Sequence, residues 1–119
     1  MKFGLKESTI RKICVVFARY PQVEKALLYG SRAKGDYKNG SDVDLTLFGG
    51  DDLTQNVLHK IVNELDDLLL PYKIDLSIFH DIGDPDVVEH IRRVGVTFYE
   101  KSKTISKPVE TPPRTAQQN

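Results

Sequence analysis

Apolar residues recur along the chain with two different periods, which predict helices and strands in alternation. A helical period over about residues 6–19 indicates an amphipathic helix that Pro21 ends. The stretch DPDVVEHIRRVG, with an Asp cap, proline at the first helical position and Gly95 after the last, is typical of a short helix. Between them a stronger helical stripe ends before Pro71; its members are Leu53, Val57, Leu58, Ile61, Leu65, Leu68 and Leu69.

Other segments alternate strictly between apolar and polar positions, which is typical of strands with one buried face. In DVDLTLF, Asp42 and Asp44 stand opposite the apolar side chains, and in YKIDLSIF, Asp75 does the same. EKALLYG predicts a strand that runs into Gly30, and VTFYE predicts a last, edge strand. The order α-β-β-α-β-α-β predicts an α/β (α+β) fold, a small mixed sheet of about four strands with helices packed on one face.

Length and composition indicate one soluble domain. The chain has 119 residues and 39% hydrophobic residues, enough for one modest core. We expect residues 1–100 to form the domain and 101–119, which are poor in apolar residues and rich in proline, to form a disordered tail. The formal net charge is +0, so no overall field favours nucleic acid or a membrane. The single cysteine, Cys14, is expected to be a buried, inert thiol in a cytoplasmic protein.

Three acids carry the candidate chemistry. Asp42 and Asp44 project from the same face of one predicted strand, and Asp75 has the same parity on another. Like charges this close repel unless a cation lies between them. If the two strands are neighbours, three hard oxygen ligands meet in one place, which suits Mg²⁺. Two such ions are the usual device for in-line phosphoryl transfer.

The segment before the acids favours phosphate. Gly30 ends a strand and permits close approach of a ligand to the backbone. Ser31 is expected to begin a short helix whose free N–H groups favour an anion, with positive charge nearby on Arg32 and Lys34.

Each half of this pattern is common when it occurs alone. An isolated Gly-Ser is usually a turn, an isolated Asp-x-Asp is usually solvated, and Arg32 or Lys34 alone would be ordinary surface charge. Gly-Ser followed after ten residues by Asp-x-Asp arises by chance only about once in 10⁵ start positions at average residue usage.

The stretch GSRAKGDYKNGSDVDL resembles the signature of the nucleotidyltransferases related to DNA polymerase beta, and the short chain is similar to the minimal nucleotidyltransferases, or MNT proteins. The resemblance covers about residues 8–100 and implies a polymerase-beta-like core. It implies that Gly30 and Ser31 bind the β- and γ-phosphates of ATP and that Asp42 and Asp44 ligate Mg²⁺, two ions being expected. Asp75 would complete the site that activates the attacking hydroxyl.

The resemblance also implies a partner. MNT proteins are typically encoded beside a helical HEPN protein and act as its antitoxin. We therefore expect this chain to transfer AMP from ATP to a hydroxyl, expected to be a tyrosine of a HEPN toxin, within a homo- or hetero-oligomer. Two alternatives remain: a non-catalytic antitoxin that acts by contact, and transfer to a small molecule such as an aminoglycoside.

Other polar residues carry less weight. The three histidines, His59, His80 and His90, show no metal-binding spacing and are interpreted as surface or capping residues. Tyr37 lies in the predicted loop, where stacking on a base and simple solvation are equally compatible with the sequence. The basic stretch around it is too short to predict nucleic-acid binding.

Overall fold

The computed structural model of the chain describes residues 1–101. The helices and strands follow one another in the predicted order, and the short helix that the sequence predicts to begin at Ser31 lies between the first and second strands. The elements are α1 (Glu7–Ala18), β1 (Lys25–Tyr29), α2 (Ser31–Lys34), β2 (Val43–Phe48), α3 (Gln55–Asp67), β3 (Ile74–Ile78), a 3₁₀ turn (Phe79–Asp81), α4 (Pro85–Val94) and β4 (Val96–Glu100).

The four strands form one mixed sheet in the order β3-β2-β1-β4. Strand β1 pairs antiparallel with both β2 and β4, whereas β2 and β3 run parallel. The parallel pair requires a crossover, and α3 supplies it. The fold is therefore the four-stranded mixed sheet with helices that the sequence predicts, with β4 at one edge.

The main core lies between the sheet and the two long helices. Ile13 and Phe17 of α1 and Ile61 of α3 are fully buried against the apolar face of the sheet. Full burial of one such side chain contributes about 1.5–3 kcal/mol relative to exposure, so this layer supplies most of the stability. The sheet contributes alternate residues to the same core: Ala26, Leu28, Val43, Leu45, Leu47 and Ile78.

Helix α4 packs elsewhere. It contacts β1, and its His90 ring lies edge-on to Tyr29, which belongs to the opposite face of β1 from the core residue Leu28. The prediction of helices on one face therefore describes α1 and α3, while α4 covers part of the other face. This second face is the one that carries the polar residues of β2.

One residue of the predicted apolar stripe, Leu69, is exposed. Helix α3 begins after Thr54, whose hydroxyl accepts a hydrogen bond from the Val57 amide (3.4 Å), and it ends at Asp67. Leu69 lies beyond that end with a left-handed backbone (φ 54°) and is 87% exposed. The chain leaves the helical path before Leu69, so helical spacing no longer decides where its side chain points.

The remaining predictions concern single residues and the termini. Cys14 is half-buried, and burial raises the pKa of its thiol, in line with an inert cysteine.

Lys101 still belongs to the fold, because its backbone N–H donates to the Glu24 carbonyl (2.9 Å). The rest of the predicted tail lies outside the described residues. Within residues 1–101, the helices are all too short or too polar to cross a membrane.

Candidate active site

Three side chains stand in a row across the centre of the sheet. In the antiparallel pair of β1 and β2, Tyr29 is the register partner of Asp44. In the parallel pair of β2 and β3, Asp44 is the partner of Asp75. Register partners project from the same face, so the two carboxylates are neighbours on the side of the sheet opposite the core. Asp42 comes two residues before Asp44, immediately before the same strand.

The neighbouring acids and partial burial shift the pKa of Asp44. Partial burial raises the pKa of Asp44, and the negative charges of Asp75 and Asp42 raise it further, whereas nearby His90 lowers it. Ionised Asp44 is thus destabilised by its surroundings. A cation between the carboxylates would relieve that repulsion, which is why such clusters are typical of metal-binding sites.

Gly30 forms the wall of the site beside Asp44. Its backbone has φ +77°, a conformation that side-chain-bearing residues rarely adopt. Gly30 also begins the single turn of α2, since its carbonyl accepts from the Lys34 amide (3.1 Å). Ser31 follows at once, partly exposed. A β-carbon on Gly30 would clash with the Asp44 carboxylate, so Gly30 lies in contact with the acidic strand.

The structure does not bring the two predicted basic residues to the site. Arg32 is only 3% exposed, and its guanidinium donates to the backbone carbonyls of Phe3 and Ser41. It does not face a phosphate beside Ser31, because those two carbonyls take its donors. Lys34 lies at the surface and pairs with Asp36 (3.5 Å).

Two residues near the acids, His90 and Ser77, are assigned no role in the site by the sequence analysis. His90, interpreted as a surface or capping residue, packs edge-on against Tyr29, with ring centroids 6.2 Å apart. Burial raises the pKa of Tyr29, as does the charge of Asp75, while the Ser77 hydroxyl lowers it. No local pattern points to His90, because its place depends on α4 crossing β1. On the same face of the sheet, the Ser77 hydroxyl donates to the Thr46 hydroxyl (2.9 Å) beside the Asp75–Asp44 pair. Ser77 and Thr46 have the same parity as the acids in their strands, so the sequence alone could have placed them on this face.

The donor set suits a hard cation, although the protein alone does not complete a metal site. Asp42, Asp44 and Asp75 offer carboxylate oxygens, the ligands that Mg²⁺ prefers together with water and phosphate. Across residues 1–101, however, no three acidic, histidine or cysteine side chains approach closely enough to hold a metal by themselves. The residues therefore fit an ion that is held jointly with a phosphate-bearing ligand.

Comparison with known proteins agrees with this class of site. The family model described as "Polymerase beta, Nucleotidyltransferase" matches residues 11–104. A Haemophilus influenzae protein named "Probable protein adenylyltransferase MntA" is 34% identical over 80 residues, which are 67% of this chain and 69% of that protein. The fold is that of a nucleotidyltransferase, and the chain belongs to the polymerase beta nucleotidyltransferase family.

Solved structures share the fold at low sequence identity. A chain of a toxin–antitoxin complex crystallised with AMP-PNP aligns with a TM-score of 0.62 and 19% identity, covering 83% of this chain and 77% of that one. A chain of the complex between a tri-AMPylated Shewanella oneidensis HEPN toxin and its MNT antitoxin aligns with a TM-score of 0.60 and 15% identity, covering 82% and 74%. These matches show that the fold is shared over more than 80% of this chain.

Proposed function

We propose that this chain is an antitoxin that transfers AMP from ATP to a hydroxyl of a HEPN toxin, expected to be a tyrosine. The observation that carries the proposal is the register of Asp44 with Asp75 across β2 and β3, beside Gly30. The names of the Haemophilus relative and of the Shewanella complex support the choice of reaction and partner.

Gly30 and Ser31 would hold the triphosphate. The glycine lets phosphate oxygens approach the backbone, and the Ser31 hydroxyl and the free N–H groups of the α2 turn can donate to them. The α-phosphorus would then lie over the acidic face of the sheet. Orienting the two reactants in this way is a large part of the rate gain in phosphoryl transfer.

Asp42 and Asp44 would hold Mg²⁺ together with the phosphates. The ion, when bound, neutralises the charge that develops on the phosphate and leaving-group oxygens. The repulsion that raises the pKa of Asp44 is then replaced by attraction.

Asp75 would accept the proton of the attacking hydroxyl. The hydroxyl oxygen forms a bond to the α-phosphorus, the bond between that phosphorus and the bridging oxygen breaks, and pyrophosphate leaves. Asp75 is exposed at the sheet edge formed by β3, so a hydroxyl from another molecule can reach it. This accessibility favours a macromolecular acceptor.

Neutralisation by contact alone is the second candidate, and the incomplete metal cluster of the unliganded protein favours it. The two functions are separated by Asp75→Asn, which keeps the shape of the side chain and removes its capacity as a base. Asp67→Asn, on the exposed end of α3, is the matched control. Each variant is co-expressed with the HEPN toxin of the same genome and incubated with it, ATP and Mg²⁺.

The expected result is that Asp75→Asn still binds the toxin and Mg²⁺·ATP, but loses transfer by about 10²–10⁴-fold and no longer neutralises. Intact-mass spectrometry follows the added AMP, and peptide mapping identifies the modified residue. Asp67→Asn should behave as the wild type. If Asp75→Asn protects cells fully and neither protein adds AMP, contact alone is the mechanism and the proposal is wrong.

A further inference from the structure

Arg32 has an unusual position for an arginine that follows a phosphate-binding sequence. It is buried, and its guanidinium reaches the place where the loop between α2 and β2 returns to the sheet. Burial of a guanidinium is costly unless its donors are satisfied, so the contacts that satisfy it show what it holds.

The contacts join three separate parts of the chain. Nε and Nη2 both donate to the carbonyl oxygen of Ser41 (3.1 and 2.9 Å), and Nη1 donates to that of Phe3 (2.9 Å). Ser41 directly precedes Asp42, and Arg32 directly follows Ser31. One side chain therefore ties the phosphate-binding turn to the residue that precedes Asp42, just ahead of β2.

Two aromatic rings hold the guanidinium in place. Its central carbon lies 5.2 Å from the ring centroid of Tyr37 and 5.0 Å from that of Tyr72. Tyr37 belongs to the loop itself and Tyr72 comes just before β3, so the stack also links the loop to the strand of Asp75. Cation–π contacts of this kind strengthen when they are desolvated.

The loop has little else to fix it. Residues 34–40 are all exposed, and a β-carbon at Gly35 or Gly40 would meet nothing within 4 Å. Apart from Tyr37, which also packs against Gly4, its own contacts are local, such as the Ser41 amide donating to the Lys38 carbonyl (3.0 Å). Without Arg32, the position of Asp42 relative to Ser31 would depend on an exposed loop containing two positive-φ glycines.

We propose that Arg32 is a positioning residue, which sets the distance between the Gly30–Ser31 turn and Asp42 and so assembles the Mg²⁺·nucleotide site without touching the nucleotide. The inference rests on the proposed function of that site. It predicts that Arg32 governs the gain in nucleotide affinity that Mg²⁺ provides, because that gain needs Asp42 and the phosphates at once. Residues that orient metal ligands typically change metal affinity or activity 10–100-fold when they are replaced.

The test compares Arg32→Lys with the wild type and with Arg11→Lys, a matched change at an exposed position of α1. Lysine keeps the charge, but it cannot donate two hydrogen bonds to the Ser41 carbonyl and a third to the Phe3 carbonyl in the same fixed geometry. Calorimetry measures the affinity for AMP-PNP with Mg²⁺ and with EDTA. Hydrogen exchange, without nucleotide, measures the protection of the Ser41 and Val43 amides, both hydrogen-bonded in the structure, against that of α1 and α3.

For Arg32→Lys we expect a roughly 10–100-fold weaker affinity with Mg²⁺, little change with EDTA, and faster exchange confined to the loop and the start of β2. Arg11→Lys should match the wild type in its affinity with Mg²⁺, in its affinity with EDTA and in its hydrogen exchange. Tyr37→Leu, which removes one ring of the stack and leaves the three hydrogen bonds, should show the same pattern at smaller size. It serves as the test if Arg32→Lys does not fold.

An Arg32→Lys protein that keeps the full Mg²⁺ gain, or whose exchange rises equally in α1 and α3, would show that Arg32 only stabilises the core, and the inference would be wrong. These binding and exchange measurements do not depend on whether the protein transfers AMP to a toxin. If the wild type binds Mg²⁺·AMP-PNP but adds AMP to no toxin, the proposed function fails, while these binding and exchange measurements still decide the role of Arg32.

Discussion

Gly30 and Asp44 share one corner of the site so closely that a β-carbon on Gly30 would lie 2.3 Å from Oδ2 of Asp44. The glycine therefore serves two purposes, since it adopts φ +77° and leaves room for a carboxylate. This contact brings the Gly-Ser pair and the Asp-x-Asp strand together in the structure, although ten residues separate the two motifs in the sequence.

Gly30→Ala should lower stability and disrupt the site, whereas Gly35→Ala should only lower stability. Both glycines have positive φ (+77° and +88°), but a β-carbon at Gly35 meets nothing within 4 Å. Strain at such backbone positions costs about 1–3 kcal/mol each, and it is greater at Gly30, whose ψ of −157° lies in a region that is almost confined to glycine. Both variants should therefore melt at a lower temperature, Gly30→Ala more so. Only Gly30→Ala should also lose the Mg²⁺-dependent affinity for AMP-PNP in calorimetry. Equal affinities in the two variants would show that the Asp44 contact has no role in binding.

Asp44→Asn should stabilise the protein in the absence of ligand at neutral pH. Burial and like charges raise the pKa of Asp44 above its unfolded value, so the folded state holds the proton more tightly. The favourable contribution is present below the unfolded pKa and is lost as pH rises through the folded one. The melting-temperature difference between Asp44→Asn and wild type should therefore be largest at neutral pH and shrink in acid. A difference that does not depend on pH would contradict this origin.

Mg²⁺ and ATP together should stabilise the wild type more than either alone. A ligand that binds only the folded state adds about 2.7 kcal/mol at 100 times its dissociation constant. Because the acids hold the ion jointly with phosphate, Mg²⁺ alone should shift the melting temperature little, and EDTA should remove most of the effect of ATP. Thermal unfolding in the four conditions tests this; a full shift with Mg²⁺ alone would instead show a metal site preformed in the protein.

A chain that ends after Lys101 should keep the melting temperature and nucleotide binding of the full chain. The sheet, the core and the site are all formed within residues 1–101. Lys101 is retained because its Nζ donates to the Pro21 carbonyl (3.1 Å) and its backbone to Glu24. A marked fall in melting temperature would show that residues 102–119 pack on the domain.

The sequence by itself determined the elements and the faces of the strands. Helical and alternating periods are local properties of the chain, so they identified α1, α3, α4 and the four strands before any contact was known. Parity also placed Asp42, Asp44 and Asp75 opposite the core. The rarity of the combined motif made the site recognisable as one unit.

Only the tertiary structure decided which elements meet. The parallel pairing of β2 with β3 makes Asp44 and Asp75 neighbours, and the crossing of α4 over β1 brings His90 to Tyr29. Arg32 resembled a phosphate ligand in sequence, but the return of the loop puts the Ser41 carbonyl within its reach. Such contacts join residues far apart along the chain or on opposite sides of a loop, and their energies depend on burial that no local pattern encodes.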